Sequence, residues 1–176
     1  MLKKMMWALL GLVALALVVA GVGPLFLPKS YSVSRSLDLA APVAKVYAAV
    51  GDFQKFNLWQ PWIRYEPSAS QTVSGKPFTV GARYAWEGKR IGSGSMTIRE
   101  IKENALVVHD LEFTSPQASK AVSRFDMKDL GGATRITWTL TGESAYLGRW
   151  FGLMMDRMMG NDFESGLQNL KAFAEK

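Results

Sequence analysis

Two hydrophobic patterns divide the chain. Met5 to Leu27 is an unbroken run of 23 uncharged residues, with Lys3 and Lys4 before it and Pro28 and Lys29 after it. As a helix, that run covers the roughly 30 Å of hydrocarbon in a bilayer. Beyond it, apolar and polar positions alternate. Val33, Leu37 and Leu39 give Tyr31 to Leu39 the pattern of an edge or half-buried strand. Pro42 then opens a helix with Val43, Val46, Tyr47 and Val50 on its apolar side, ending at Gly51-Asp52. A second short helix or turn covers Phe53 to Trp59 and stops at Pro61. Glu66 to Pro77 is a polar connection rich in Ser and Pro.

After that connection the period-two pattern returns. It predicts strands over Ala82 to Trp86, Gly92 to Ile101, Ala105 to Phe113, Ala118 to Met127 and Thr134 to Thr141. Successive strands at hairpin spacing make an antiparallel meander. The last segment changes rhythm. From Tyr146 to Lys176, Phe151, Met155, Met158, Phe163, Gly166, Leu170 and Phe173 recur every three to five residues, one face of a helix. About 28 helical residues would extend about 42 Å. Such a helix cannot bury its apolar stripe alone. The pattern predicts an α+β fold, a curved antiparallel sheet wrapped around a long C-terminal helix, with two short helices after the first strand. A cavity between sheet and helix is expected.

Charge adds one correction. The formal net charge is +6, but Lys3, Lys4 and Lys29 flank the apolar run. Removing them leaves 18 basic against 15 acidic residues, a net +3 with the signs interspersed. No basic block points to nucleic acid. Residues 1–29 read as a membrane anchor with its flanks, and 30–176 as the functional domain. The lysines ahead of the span place the N-terminus in the cytoplasm and the domain on the outer side of the cytoplasmic membrane, single-pass. The alternative is a signal peptide cleaved after Ala20, releasing the domain to the periplasm or medium. The run through Leu25-Phe26-Leu27, longer than a usual signal core, favours the uncleaved anchor.

Candidate chemistry is sparse. There are no cysteines and one histidine, His109. Alternation sets His109 with Val107, Leu111 and Phe113, where it reads as a partly exposed sheet residue rather than as the base of a triad. No Gly-x-Ser-x-Gly elbow is present, and Gly92 and Gly94 read as marks of sheet curvature or a bulge. Without histidine or cysteine pairs at ligand spacing, no metal site is expected, and no cofactor is implied. The aromatic and methionine content says more. Trp59, Trp62, Tyr84, Trp86, Phe113, Phe125 and Trp138, with Phe151, Met155 and Met158 on the helix, are the candidate lining of an apolar cavity. Trp59 and Trp62 flank Pro61 at its expected mouth.

Several stretches carry a resemblance. They are Leu39-Ala40-Ala41-Pro42-Val43-Ala44-Lys45-Val46-Tyr47, Asp52-Phe53, Trp59-Gln60-Pro61-Trp62, Tyr84-Ala85-Trp86-Glu87-Gly88, Gly92 to Ile98, Thr134 to Trp138, and Asp162 to Lys171. Together with the element order, they resemble the START-like (SRPBCC) superfamily, and within it the polyketide cyclase/dehydrase and lipid transport family. The resemblance covers about Tyr31 to Lys176 and implies a helix-grip fold. It also implies either a lipid-holding cup or a cyclase that steers an enolate with a few polar residues. Arg83, Arg99, Arg124, Glu112 and Asp126 are the ionisable strand residues that could serve a cyclase if they faced inward, and parity turns Arg124 outward. The residues favour binding, with possible transfer, of a small hydrophobic ligand such as a lipid or isoprenoid over catalysis. The alternatives are a cyclase or dehydratase acting on an apolar carbonyl compound, and a non-catalytic interaction scaffold.

Overall fold

The computed structural model describes residues 2–176. Helix α1 runs Leu2–Val22 and passes through a 3₁₀ turn, Gly23–Phe26, into the folded body. Lys3–Phe26 is long and apolar enough to cross a bilayer, and its most apolar stretch is nowhere buried in the protein. A signal sequence passes the same test of length and composition.

Seven strands follow the turn: β1 (Ser30–Leu39), β2 (Ser70–Ser74), β3 (Arg83–Glu87), β4 (Ser93–Lys102), β5 (Leu106–Ser115), β6 (Ser119–Asp129) and β7 (Thr134–Glu143). They form one antiparallel sheet in the order β1-β7-β6-β5-β4-β3-β2. Helices α2 (Val43–Gly51) and α3 (Phe53–Phe56) come between β1 and β2, and α4 (Arg149–Gly152) and α5 (Met155–Ala174) follow β7. This is the α+β helix-grip arrangement expected from the pattern.

Parity within the register decides what faces α5. Arg35, Trp138, Phe125 and Val107 are successive partners across β1, β7, β6 and β5. One row along, Val33, Leu140, Ser123, His109 and Ile98 line up in the same way. These positions form the concave face, and most of them are buried. The opposite face is polar. Ser34 pairs with Thr139 at 2.9 Å and Ser36 with Thr137 at 2.8 Å.

Two expectations need correction. Ser70–Ser74 lies within the polar connection and is a strand, the outermost one. It has one neighbour, β3, and a single apolar residue, Val73, so its hydrophobic signal is almost nil. The C-terminal helix is also not continuous from Tyr146. It breaks at Leu153-Met154, and only α5 lies on the sheet with a buried stripe, Gly160, Phe163, Gly166, Leu167, Leu170 and Ala174.

Candidate ligand-binding site

The interior between α5 and the sheet is built of aromatic rings. Trp138 lies between Phe125, stacked at 4.9 Å, and Phe163 of α5, stacked at 4.1 Å between ring centroids. Trp59 and Trp62 both meet Trp138 edge-on, at 5.9 and 5.6 Å. These are contact distances for rings. The space at Trp138 is therefore filled by the protein's own side chains.

The polar atoms of the two buried tryptophans and of Gln60 are satisfied locally. Trp138 Nε1 donates to Ser123 Oγ at 2.9 Å, and Trp59 Nε1 donates to the Ala49 carbonyl at 2.9 Å. Asn169 of α5 holds the Trp59 carbonyl at 3.0 Å. Gln60 Nε2 donates to the Tyr84 hydroxyl at 3.3 Å while its carbonyl accepts from the Trp62 amide. Burial pushes the Tyr84 phenol up to about 12, against the opposing effect of the Gln60 hydrogen bond.

His109 differs from its expected environment. The parity is right, but the side chain is completely buried, 5.2 Å from Phe53 and 5.8 Å from Phe125 between ring centroids. Neither ring nitrogen has a hydrogen-bond partner, and burial pushes the imidazole down to about 3. An imidazole there stays neutral and packs as an aromatic ring. No acid/base pair forms around it, because the ionisable residues of the neighbouring strands β4, β5 and β6 face the outside. Arg99 pairs with Asp110, Arg124 with Asp126 and Glu112 with Lys120, all across the exposed face. Among the described residues, no three His, Asp or Glu side chains come together as metal ligands.

The ten residues expected to line a cavity divide into three groups. Trp59, Tyr84, Phe125 and Trp138 are core. This overturns the place given to Trp59 at a mouth, because the residue is 2% exposed, with its indole nitrogen and its backbone carbonyl both hydrogen-bonded inside the protein. Trp62, Trp86, Phe113 and Met155 are half-buried, packing on the core with one side. Phe151 and Met158 line nothing inside. They are 65% and 55% exposed: Phe151 precedes the break at Leu153-Met154, and Met158 lies on the face of α5 turned away from the core that Met155 and Met159 meet.

The half-buried residues concentrate interest at one end of the sheet. Trp86, Gly94, Phe113 and Ser119 are register partners across β3, β4, β5 and β6. The Trp86 ring lies over Gly94 and meets Phe113 edge-on at 5.8 Å. The next row runs Tyr84, Met96, Leu111, Ala121, Gly142 and Tyr31, and the Tyr31 ring lies over Gly142. Two aromatic rings thus rest on glycines at opposite flanks of a concave face, with Phe113 and Leu111 on the central strand and the smaller Ser119 and Ala121 beside them on β6. Burial raises the Tyr31 phenol above its ordinary value. Tyr31, which packs on this core with Met159, escaped the sequence reading as a lining residue. Its signal was present, since Tyr31 shares parity with Val33.

The structure has two open depressions. One, of about 550 Å³, lies along β5, β6 and β7 and is lined by Leu111, Ala121 and Gly142 of the row above together with their neighbours Asp110, Glu112 and Lys120. The other, of about 750 Å³, runs between β1 and α5 past Arg35, Arg64, Glu164 and Gln168. Arg35 crosses that groove to Asp156 at 2.7 Å and Glu164 at 2.8 Å. Both depressions mix polar and apolar lining.

Comparison with known proteins agrees with this geometry. A protein from Chromobacterium violaceum superimposes with a TM-score of 0.61 at 15% identity, covering 85% of this chain and 99% of its own. One from Nitrosospira multiformis gives 0.61 at 22%, covering 81% and 95%. One from Arthrobacter aurescens gives 0.60 at 21%, covering 80% and 84%. At these identities the likeness establishes the fold. No curated protein sequence matches the chain significantly. The family model for polyketide cyclase/dehydrase and lipid transport proteins matches residues 30–175. The chain therefore belongs to that family, within the START-like (SRPBCC) superfamily.

Proposed function

We propose that this protein holds a small hydrophobic molecule, a lipid or isoprenoid, while tethered to the cytoplasmic membrane by α1. The half-buried Trp86–Phe113 pair over Gly94, beside the small residues Ala121 and Gly142, carries this reading. A ligand inserting there displaces Trp86 or Tyr31 from its glycine and repacks the thioethers of Met155 and Met159, which adapt readily to irregular apolar shapes. The site lies at the end of the sheet where the chain arrives from α1, since Ser30 pairs with Glu143 and the Ser144 amide reaches the Lys29 carbonyl. Lys3 and Lys4 ahead of the span put the N-terminus in the cytoplasm and the binding domain outside. A tethered cup exchanges an apolar molecule with the bilayer without carrying it through water.

The filled interior at Trp138 supports a second reading, a scaffold with no internal ligand. One titration separates the two. Full-length protein in detergent is titrated with fatty acids, phospholipids and quinones while tryptophan emission is followed. Saturable binding is expected for one class, and Trp86→Ala should weaken it about tenfold, the loss of one aromatic contact. Binding by none of the three classes would favour the scaffold.

A further inference from the structure

The segment between β7 and α5 is polar in none of the places where an exposed linker would be. Leu147, Phe151, Leu153, Met154 and Met158 are all exposed, and Phe26, at the exit of the 3₁₀ turn, is 83% exposed. These residues are not scattered over a mobile loop. Three side chains tie the segment to the last turns of the apolar helix. The Tyr146 hydroxyl donates to the Gly21 carbonyl, Trp150 Nε1 donates to the Ala20 carbonyl at 3.4 Å, and Arg149 donates to the Pro24 carbonyl at 2.6 Å. The Trp150 ring lies against the backbone at Gly23.

We infer that residues 146–158 are a second membrane contact, a seat that lies in the head-group and acyl boundary and holds the body against the bilayer. The inference rests on the tether, because Ala20, Gly21 and Pro24 mark the level at which an inserted α1 leaves the hydrocarbon. Anything fastened to those carbonyls is held at the lipid surface. The chemistry suits that depth. Tyr and Trp prefer the interface, where one part of the ring is apolar and the other hydrogen-bonds. The broken helix lets Phe151, Leu153 and Met154 project away from the sheet rather than into it. Lys29 and Arg157, which make no salt bridge among the described residues, supply cations for anionic head groups beside the apolar side chains. The seat also fixes orientation. It brings the Trp86–Phe113 end of the sheet towards the bilayer and turns the row of Lys128 and Arg135 away from it.

The absence of cysteine makes the test direct. Single-cysteine variants of the full chain, Phe151→Cys, Met154→Cys and, as a remote control, Lys128→Cys, carry an environment-sensitive fluorophore. They are reconstituted in vesicles of phosphatidylcholine and phosphatidylglycerol in equal parts, with and without lipids bearing a shallow nitroxide. All three positions are exposed, so labelling leaves the fold intact. An apolar side chain in the boundary sits about 5–10 Å deep, so labels at 151 and 154 should lose about half of their emission to the nitroxide while the label at 128 keeps its own. Flotation after alkaline extraction reads the tether separately. Protein that stays with the vesicles while labels at 151 and 154 are quenched no more than the control overturns the seat and leaves the tether standing. Blue-shifted but unquenched labels also overturn it, by assigning the patch to a second copy or another protein. Protein released by extraction overturns tether and seat together.

Discussion

At residue scale, His109 makes the sharpest prediction. Its imidazole is neutral when folded, held down to about 3 by burial, and returns to about 6.5 on unfolding. The unfolded chain therefore binds the extra proton first as pH falls. Stability is fully present above about 6.5 and is lost towards 3, with a slope approaching about 1.4 kcal/mol per pH unit. Asp38, Glu112 and Asp156, held below the ordinary carboxylate range by Arg135, Lys120 and Arg35, add a loss of the same sign. Theirs begins only near pH 4 or below, where free carboxylates titrate. Between pH 6 and 5 the slope thus belongs to His109, and His109→Phe should flatten it in denaturant titrations. An unchanged slope would show that the imidazole is not held neutral. Parity set this residue with Val107, Leu111 and Phe113 from sequence alone, where it read as partly exposed. Its complete burial depends on Phe53 and Phe125 closing over it, and no single-strand pattern contains that information.

At the scale of elements, α5 is fastened to the sheet by fit more than by helix propensity. Gly166 faces the aromatic stack, where a Cβ would stand 2.8 Å from the Trp138 ring and 3.1 Å from Pro61. Alanine at an exposed helical site would gain about 1 kcal/mol over glycine. Here the ring cannot yield, because Phe125 and Phe163 hold its two faces. Overpacking costs typically about 1–3 kcal/mol, so Gly166→Ala should be net destabilising in thermal melts. A variant that melts higher would mean the stack is looser than described. The same element shows where periodicity runs out. The three-to-five spacing continues from Phe151 through Phe173, yet only the part from Gly160 onward is buried. Spacing reports that one face is apolar. It does not report whether that face meets the sheet or a lipid surface. At β2 the failure is the reverse, since an outermost strand with one apolar residue is held by backbone pairing to β3, to which hydropathy is blind.

At the scale of the whole molecule, the fold was legible because its period-two and helical segments are long and their order is distinctive. The site was less so. The aromatic residues stand out in the sequence, but the structure divides them. Those around Trp138 fill the interior, while Trp86, Phe113 and Tyr31 stay half-buried at the end nearest α1. The partition depends on ring contacts across β3, β5, β7 and α5, so it becomes visible only in three dimensions. It moves the proposed site from the middle of the helix–sheet interface to the end nearest α1. Native mass spectrometry of the full chain, released from a membrane nanodisc after gentle purification, tests that account most directly. A defined additional mass that extracts into organic solvent and is lost in Trp86→Ala is the predicted result. A bare polypeptide mass that stays bare after incubation with membrane lipid extract would contradict it.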